Sequence, residues 1–421
     1  MKSMKKIISF FVMCSMVSMS FTKVPVKIVD TTYEEKLLQS VGITDNSFVT
    51  SEAWYFSKDG IDKTAKKMVD QLPNEEVILY GISLGGTVAR RMTQIAEENG
   101  KHVKGYIAQS SPLSGDRLTN TAWATTSLVM LGVYSTFGLG SLVLGLPWEE
   151  ILGKEITNQD YDFYTQLDDK SKTIIGSYEN IIKNKSIDRN NERSVIENAT
   201  LPLLDLIFGN DENSRGMSDY FGAVFSKGNN VKDLDPTGNF MVNVMNSSSE
   251  KEKEATDSIK RAFIVSTNGN IYESSAWSKV QPILSYYQKQ RDSYWAKAKK
   301  QWWIFAYWAL RAAASEVSVA TIEGLPRAWS TCVSGSVDYS TNDGFVPAND
   351  KFWGKELKMT APNMREDKLD RAYSCDKVSH LDYGEYFENL SKKSGRSYSR
   401  KKSLEQQQAS ILKAYTFIDS N

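Results

Sequence analysis

The sequence predicts an α/β protein: a mainly parallel sheet flanked by helices, carrying large and mostly helical insertions. Three observations lead there. Short apolar runs of β type alternate with helical patterns, the chain order that builds β/α/β units and hence parallel pairing. One such run, Val77–Tyr80, enters Gly81-Ile82-Ser83-Leu84-Gly85-Gly86 and then a helical pattern, a strand–turn–helix junction. The 421 residues, 41% hydrophobic and 11% aromatic, suffice for one large core with insertions or about two to three ordinary domains, which excludes a disordered or collagen-like chain. Charge excludes more. Fifty-one Lys and Arg against 51 Asp and Glu leave no basic footprint, so no nucleic-acid partner is expected. With two histidines and no Cys-x-x-Cys pair, neither a metal site nor a cofactor is expected.

Taken in order, residues 1–20 read as an export signal. Lys2, Lys5 and Lys6 precede the apolar run Ile7–Val17, and the small Ser18 and Ser20 suit cleavage near Ser20/Phe21. The run is shorter than the roughly 20 apolar residues of a spanning helix, so a retained anchor is the weaker reading. Phe11-Val12-Met13-Cys14 bears a faint likeness to a lipoprotein signal, but Met13 is a poor fit before such a cysteine. The protein is therefore expected outside the cytoplasm, as a secreted, periplasmic or cell-surface chain. Three of the 51 cations and none of the 51 acids lie in the leader, so 48 cations remain and the mature chain is mildly acidic.

A first core part, 21–116, then holds strands at Val24–Val29, Ala53–Phe56, Val77–Tyr80 and Gly105–Gln109, with helices at Ile61–Leu72 and Thr87–Glu98. A cap or lid insertion occupies 117–230. Residues 231–269 return to the core with a strand at Ala262–Ser266, and 270–329 form a second, aromatic-rich helical insertion. Residues 330–421 complete the core with a strand around Tyr373 and a closing helix at Ser403–Phe417.

The junction at Ser83 carries the chemistry. A Gly-x-Ser-x-Gly turn between strand and helix holds its serine in a strained conformation with the hydroxyl exposed, and small neighbours make room for that turn. Such a nucleophile needs a base, and only His102 and His380 exist. His102 sits in a helix-to-strand turn at the far edge of the sheet and reads as a solvated surface residue. His380, in Val378-Ser379-His380-Leu381-Asp382, comes last in the order Ser, acid, His that this turn type uses. The acid is expected between them, and Asp343, in Asn342-Asp343-Gly344-Phe345-Val346-Pro347, is favoured over Asp338. Asp376 and Asp382 crowd His380 at the wrong point in that order.

Together, GISLGG, Ala108-Gln109-Ser110-Ser111-Pro112-Leu113-Ser114-Gly115, NDGFVP and VSHLDYG resemble the lipase branch of the α/β-hydrolases, bacterial triacylglycerol lipases and the GPI inositol-deacylase-like group included. Asp233-Leu234-Asp235-Pro236-Thr237-Gly238-Asn239-Phe240 is similar to a segment in which that branch returns from its cap. The resemblance implies a hydrolase of carboxylic esters, with lipid esters as substrates and Ser83, Asp343 and His380 as the triad. Acyl transfer or other acyl hydrolysis by the same residues, and a non-catalytic surface binding protein on the same scaffold, are the alternatives. The resemblance also implies an oxyanion hole with the Leu84 N–H as one donor. The branch usually has His-Gly after its first core strand, where this chain has Val29-Asp30-Thr31-Thr32; Thr31 or Thr32 is then the second donor, with Asp30 required to point away.

Leu118–Trp148 is an uncharged run of 31 residues, long enough to suggest a membrane span. A single crossing there would separate Ser83 from Asp343 and His380, and Trp302–Leu310 is too short to bring the chain back. A lid that folds over the nucleophile and opens at a lipid surface is the expectation. In the second insertion, Gln281–Val319 is a long helical pattern whose Leu284, Tyr287, Tyr294, Ala298, Trp302 and Phe305 suit the packing of a cap. Trp303, Tyr307 and Trp308 widen that stripe toward contact with a membrane or lipid aggregate. Once Cys14 leaves with the leader, Cys332 and Cys375 are either a disulfide or two buried thiols.

Overall fold

The computed structural model describes residues 25–28, 37–43, 58–136, 162–245, 252, 255, 258–348, 369–380 and 397–420, except 185, 189, 210–216, 227–228 and 275. The expected strand at Ala53–Phe56, the leader, Asp30 to Thr32, residues 137–148 of the uncharged run and Asp382 lie outside the described residues. Five strands, β1 (Val26–Ile28), β2 (Val77–Ile82), β3 (Val103–Gln109), β4 (Lys260–Ser266) and β5 (Asp370–Cys375), pair in chain order and all in parallel. Ile82 pairs with Gln109 and Gln109 with Ile264, so β2 and β3 end level and β4 runs two residues further. Strands of a covered parallel sheet are buried on both faces, which is why β2 reads VILYGI without a polar side chain other than its Tyr80 hydroxyl.

Alternation divides each strand between two cores. Val77, Leu79, Tyr106, Ala108, Phe263 and Val265 pack on α1 (Ile61–Asp70) and α2 (Leu84–Ala96). Ile78, Tyr80, Ile107, Ala262, Ile264 and Tyr373 face residues 37–43 and the closing helix, which runs over Ser397–Asp419. Helix α1 buries Ile61, Ala65, Met68 and Val69 at helical spacing, and its first N–H donates to Asp233 Oδ2 at 2.7 Å because Gly60 offers no capping side chain. Helix α2 begins at Leu84, three residues earlier than the pattern suggested, since Ser83 alone makes the turn. Within it Arg90 is wholly buried, and its guanidinium donates to Leu113 O at 2.5 Å and Met245 O at 2.9 Å. Burial lowers that group to about 10, and the two bonds lock the loop after β3 to the approach to β4.

The chain leaves this layer at Asp116 and returns at Leu234, where Asp116 N–H donates to Leu234 O at 2.7 Å. Between them, α3 (Thr121–Thr136), α4 (Asp169–Ile182), α5 (Leu201–Phe208) and α6 (Met217–Phe225) build a helical cap. After β4, α7 (Trp277–Lys300) and α8 (Phe305–Ser334) form a long hairpin that shares its core, with Leu128, Leu131, Ile175, Leu204, Phe221, Tyr287 and Trp329 buried together. The described part of the uncharged run thus packs into the cap core through Ala124, Leu128 and Leu131. Among the described residues no helix is long and apolar enough to cross a membrane.

Two expectations need correction. Gln281–Val319 is not one helical run: Gln301 leaves the helical conformation and Trp302–Ile304 form a tight turn, so α7 and α8 run antiparallel. The reason lies in Trp308, fully buried, whose indole N–H donates to Gln301 Oε1 at 2.8 Å and whose ring stacks on Tyr294. Tyr307 and Trp308 therefore do not widen an exposed stripe; they are the inside of the hairpin tip. Of the two readings for Cys332 and Cys375, the structure has the second: both are buried thiols, with no disulfide between them. Cys332 belongs to the cap core, where burial pushes its thiol to about 12, and Cys375 to the sheet face under the closing helix, beside Ser410 Oγ at 3.3 Å. The closing helix, α9 from here on, begins before its expected start at Ser403.

Candidate active site

Because all five strands point the same way, the loops that follow them gather at one end of the sheet, where open α/β sheets place their sites. The turn after β2 puts Ser83 at φ 52°, ψ −127°, a region that costs a side-chain-bearing residue strain. The surroundings hold it there. Ser83 N–H donates to Gln109 O at 2.9 Å on the neighbouring strand, and Gly86 N–H returns to Ser83 O at 3.2 Å. A Cβ at Gly81 would run into the backbone of Gly85 and Gly86, and one at Gly86 into the side chain of Ser111. The glycines that flank the serine are therefore required by close approach of the backbone to itself and to the loop after β3.

The second group arrives from the loop after β5. Asn268 N–H donates to Val378 O at 3.2 Å, fixing that loop to the end of β4, and His380 N–H donates to Asp343 O at 2.7 Å. His380 Nε2 then lies 3.0 Å from Ser83 Oγ and its Nδ1 3.0 Å from Asp343 Oδ2. With Nδ1–H donating to the carboxylate, Nε2 is left to accept the serine proton.

Asp343 is fully buried, and its carboxylate is answered on every side. Oδ1 accepts the N–H groups of Phe345 at 3.1 Å and Val346 at 2.8 Å, while Oδ2 faces the imidazole. Such donors replace the water that a buried carboxylate has lost. The loop is held by residues that sequence reasoning passed over. Asn342, itself fully buried, accepts the Gly344 N–H at 2.8 Å and donates to Ser330 Oγ at 2.8 Å on α8. Trp329 donates its indole N–H to Gly344 O at 2.7 Å, and Ser379 Oγ donates to Asp343 O at 3.1 Å. Phe345 lies with its ring centre 5.6 Å from that of His380, and packs on Trp329 and Phe208. The Asn-Asp-Gly run was a visible turn signal, but nothing local in the sequence ties Trp329 or Ser330 to it.

The structure thus brings Ser83, His380 and Asp343 together. Asp338 is exposed and caps the turn at Tyr339–Thr341, and Asp376 is exposed beside Lys377 and Gln406. His102 is exposed at the opposite edge, where its carbonyl accepts the first N–H of β2. Leu84 is the first residue of α2, so its N–H has no partner within the helix and lies at the positive end of the helix dipole, next to Ser83. Among the described residues no group of three His, Cys, Asp or Glu could hold a metal ion. The chain matches no known protein family, no curated protein and no solved structure.

Proposed function

We infer that this chain is an exported serine hydrolase of carboxylic esters, of the lipase-like α/β-hydrolase type, working through an acyl-enzyme with lipid esters as its substrates. The observation that carries the reading is the line Ser83 Oγ, His380, Asp343, each step 3.0 Å long, ending on a serine held in left-handed backbone at a strand–helix turn. His380 takes the Ser83 proton as the oxygen attacks the ester carbonyl. Asp343 holds the ring in the right tautomer and stabilises the imidazolium that forms. The developing oxyanion is met by the Leu84 N–H at the head of α2, with Thr31 or Thr32 as the second donor. His380 then returns the proton to the leaving alcohol, and water, activated by the same imidazole, releases the acid. No cofactor enters these steps.

The test is an ester panel on the full chain, running from soluble p-nitrophenyl acetate to long-chain triglycerides and phospholipids, with labelling by a fluorophosphonate probe. Turnover together with labelling at Ser83 supports the reading. Transfer of the acyl group to an added alcohol in preference to water would recast it as an acyltransferase. Silence toward every ester and no labelling would leave a binding protein.

A further inference from the structure

The tip of the α7–α8 hairpin is chemically unlike the rest of the molecule. Residues 293–315 hold four of the ten tryptophans of the chain and four cations, Lys297, Lys299, Lys300 and Arg311, with no acid among them, although the whole chain is neutral. The structure sorts these aromatics into two sets. Tyr294, Tyr307 and Trp308 are buried against Ala298 and Ala312 and make a small core that closes the tip. Lys297 Nζ lies 4.7 Å from the centre of the Trp308 ring, and the Arg311 guanidinium lies against Tyr294 and Tyr307. Trp302 and Trp303 stand outside this core, 78% and 65% exposed, with Phe305 beside them at 50%. Lys299 and Lys300 are exposed at the adjoining end of α7. The flanking acids, Asp292 and Glu316, are bound lower on the hairpin by Arg291.

Two adjacent tryptophans are thus exposed at the end of the hairpin, outside its small core. Their amphipathic rings suit the boundary between headgroups and hydrocarbon, and a segment with four cations and no acid suits a negative surface. We propose that the tip is an interfacial anchor: Trp302, Trp303 and Phe305 insert among the headgroups of an anionic phospholipid bilayer while Lys299 and Lys300 pair with its phosphates. This goes beyond ester hydrolysis and needs no step of it. The anchor is also remote from the site. From Phe305 to Trp329, which holds the Asp343 loop, α8 spans about 36 Å at about 1.5 Å per residue. The tip therefore acts as a tether and not as a cover over Ser83.

Co-sedimentation of the full chain with phosphatidylcholine vesicles, with and without phosphatidylglycerol, tests the proposal. The wild type is expected to sediment with the anionic vesicles, to weaken as salt rises, and to bind neutral vesicles poorly. Trp302→Ser with Trp303→Ser lowers binding at least about tenfold, since two interfacial rings are lost. Trp302→Phe with Trp303→Phe keeps most of it. Lys299→Gln with Lys300→Gln lowers binding to anionic vesicles about 25-fold, at about fivefold per lysine, and leaves neutral vesicles unchanged. All these variants keep wild-type turnover of a soluble ester, because the buried tip core is untouched. Ser83→Ala binds vesicles as the wild type does, which separates failure of the anchor from failure of the hydrolase reading. Equal binding by the tryptophan-to-serine double variant, equal binding to neutral and anionic vesicles, or a dimer that the same variant dissolves would each overturn the proposal.

Discussion

Ser83 and Ser110 close neighbouring strands at nearly the same positive φ, 52° and 50°, and these are the two described non-glycine residues with positive φ. Their surroundings differ. Ser83 is followed at once by α2, and its Oγ faces His380. Ser110 is fully buried; its N–H donates to Ile264 O at 2.8 Å and its Oγ to Ser266 Oγ at 2.6 Å. A conformation that costs about 1–3 kcal/mol is tolerated at both because the adjoining strands over-determine it. Strain alone therefore does not mark a nucleophile. What separates the two is the group brought to the hydroxyl: an imidazole backed by a carboxylate in one turn, a second hydroxyl in the other.

The widest expected gap between these serines is in activity. Ser83→Ala should lose ester hydrolysis by about 10⁶-fold and all fluorophosphonate labelling with the fold unchanged, while Ser110→Ala stays within about threefold of wild type, as initial rates and probe gels will report. Labelling that survives at Ser83→Ala would dissolve the distinction. Next comes the acid. Asp343→Asn should cost about 10⁴-fold in turnover by forcing the wrong imidazole tautomer. Asp338→Asn, on the exposed turn nearby, should cost less than about twofold, and equal losses in the two would assign the wrong carboxylate.

The two turns also touch, which gives a third probe. A methyl group at Gly86 would press on Ser111, so Gly86→Ala should cost about 1–3 kcal/mol by urea unfolding. An unchanged midpoint would mean that the turns are not packed against each other. Ser110→Ala loses one buried hydroxyl bond and should cost about 1 kcal/mol in the same assay. The smallest effect expected is none. With Cys332 pushed to about 12 and Cys375 buried, the native protein should not react with a disulfide reagent at neutral pH. The unfolded protein should give two thiols if the leader has been removed and three if Cys14 remains. A chain without free thiols would restore the disulfide.

Much of the core could be read from residue order. Parallel strands covered on both faces must be apolar throughout, so VILY, GYIAQ and AFIVS announced β2, β3 and β4, and the helical pattern at Ile61–Leu72 announced α1. Gly-x-Ser-x-Gly identified Ser83 because the turn is local, and its steric demand falls on Gly81 and Gly86, two residues before the serine and three after it. His380 followed by elimination, since the chain holds only two histidines. Asp343 needed chain order as well as its turn signal.

The remainder depended on contacts between segments far apart in the chain. Asn342 and Trp329 hold the acid loop through bonds to Gly344 and α8, and neither carries a local signature for that duty. Residue periodicity placed Trp302 in the packing stripe of one long helix and Trp303, Tyr307 and Trp308 beyond it, toward lipid. Only the break at Gln301, drawn by Trp308 across the hairpin, decided which rings are core and which are exposed. The cysteines follow the same logic: two odd thiols 43 positions apart read equally well as a bridge, until packing assigned one to the cap and the other to the far face of the sheet. Local pattern dictates which element forms because it depends on neighbours within a turn or two. Which side chain meets which depends on how the elements are stacked, and that is settled by burial of the whole chain at once.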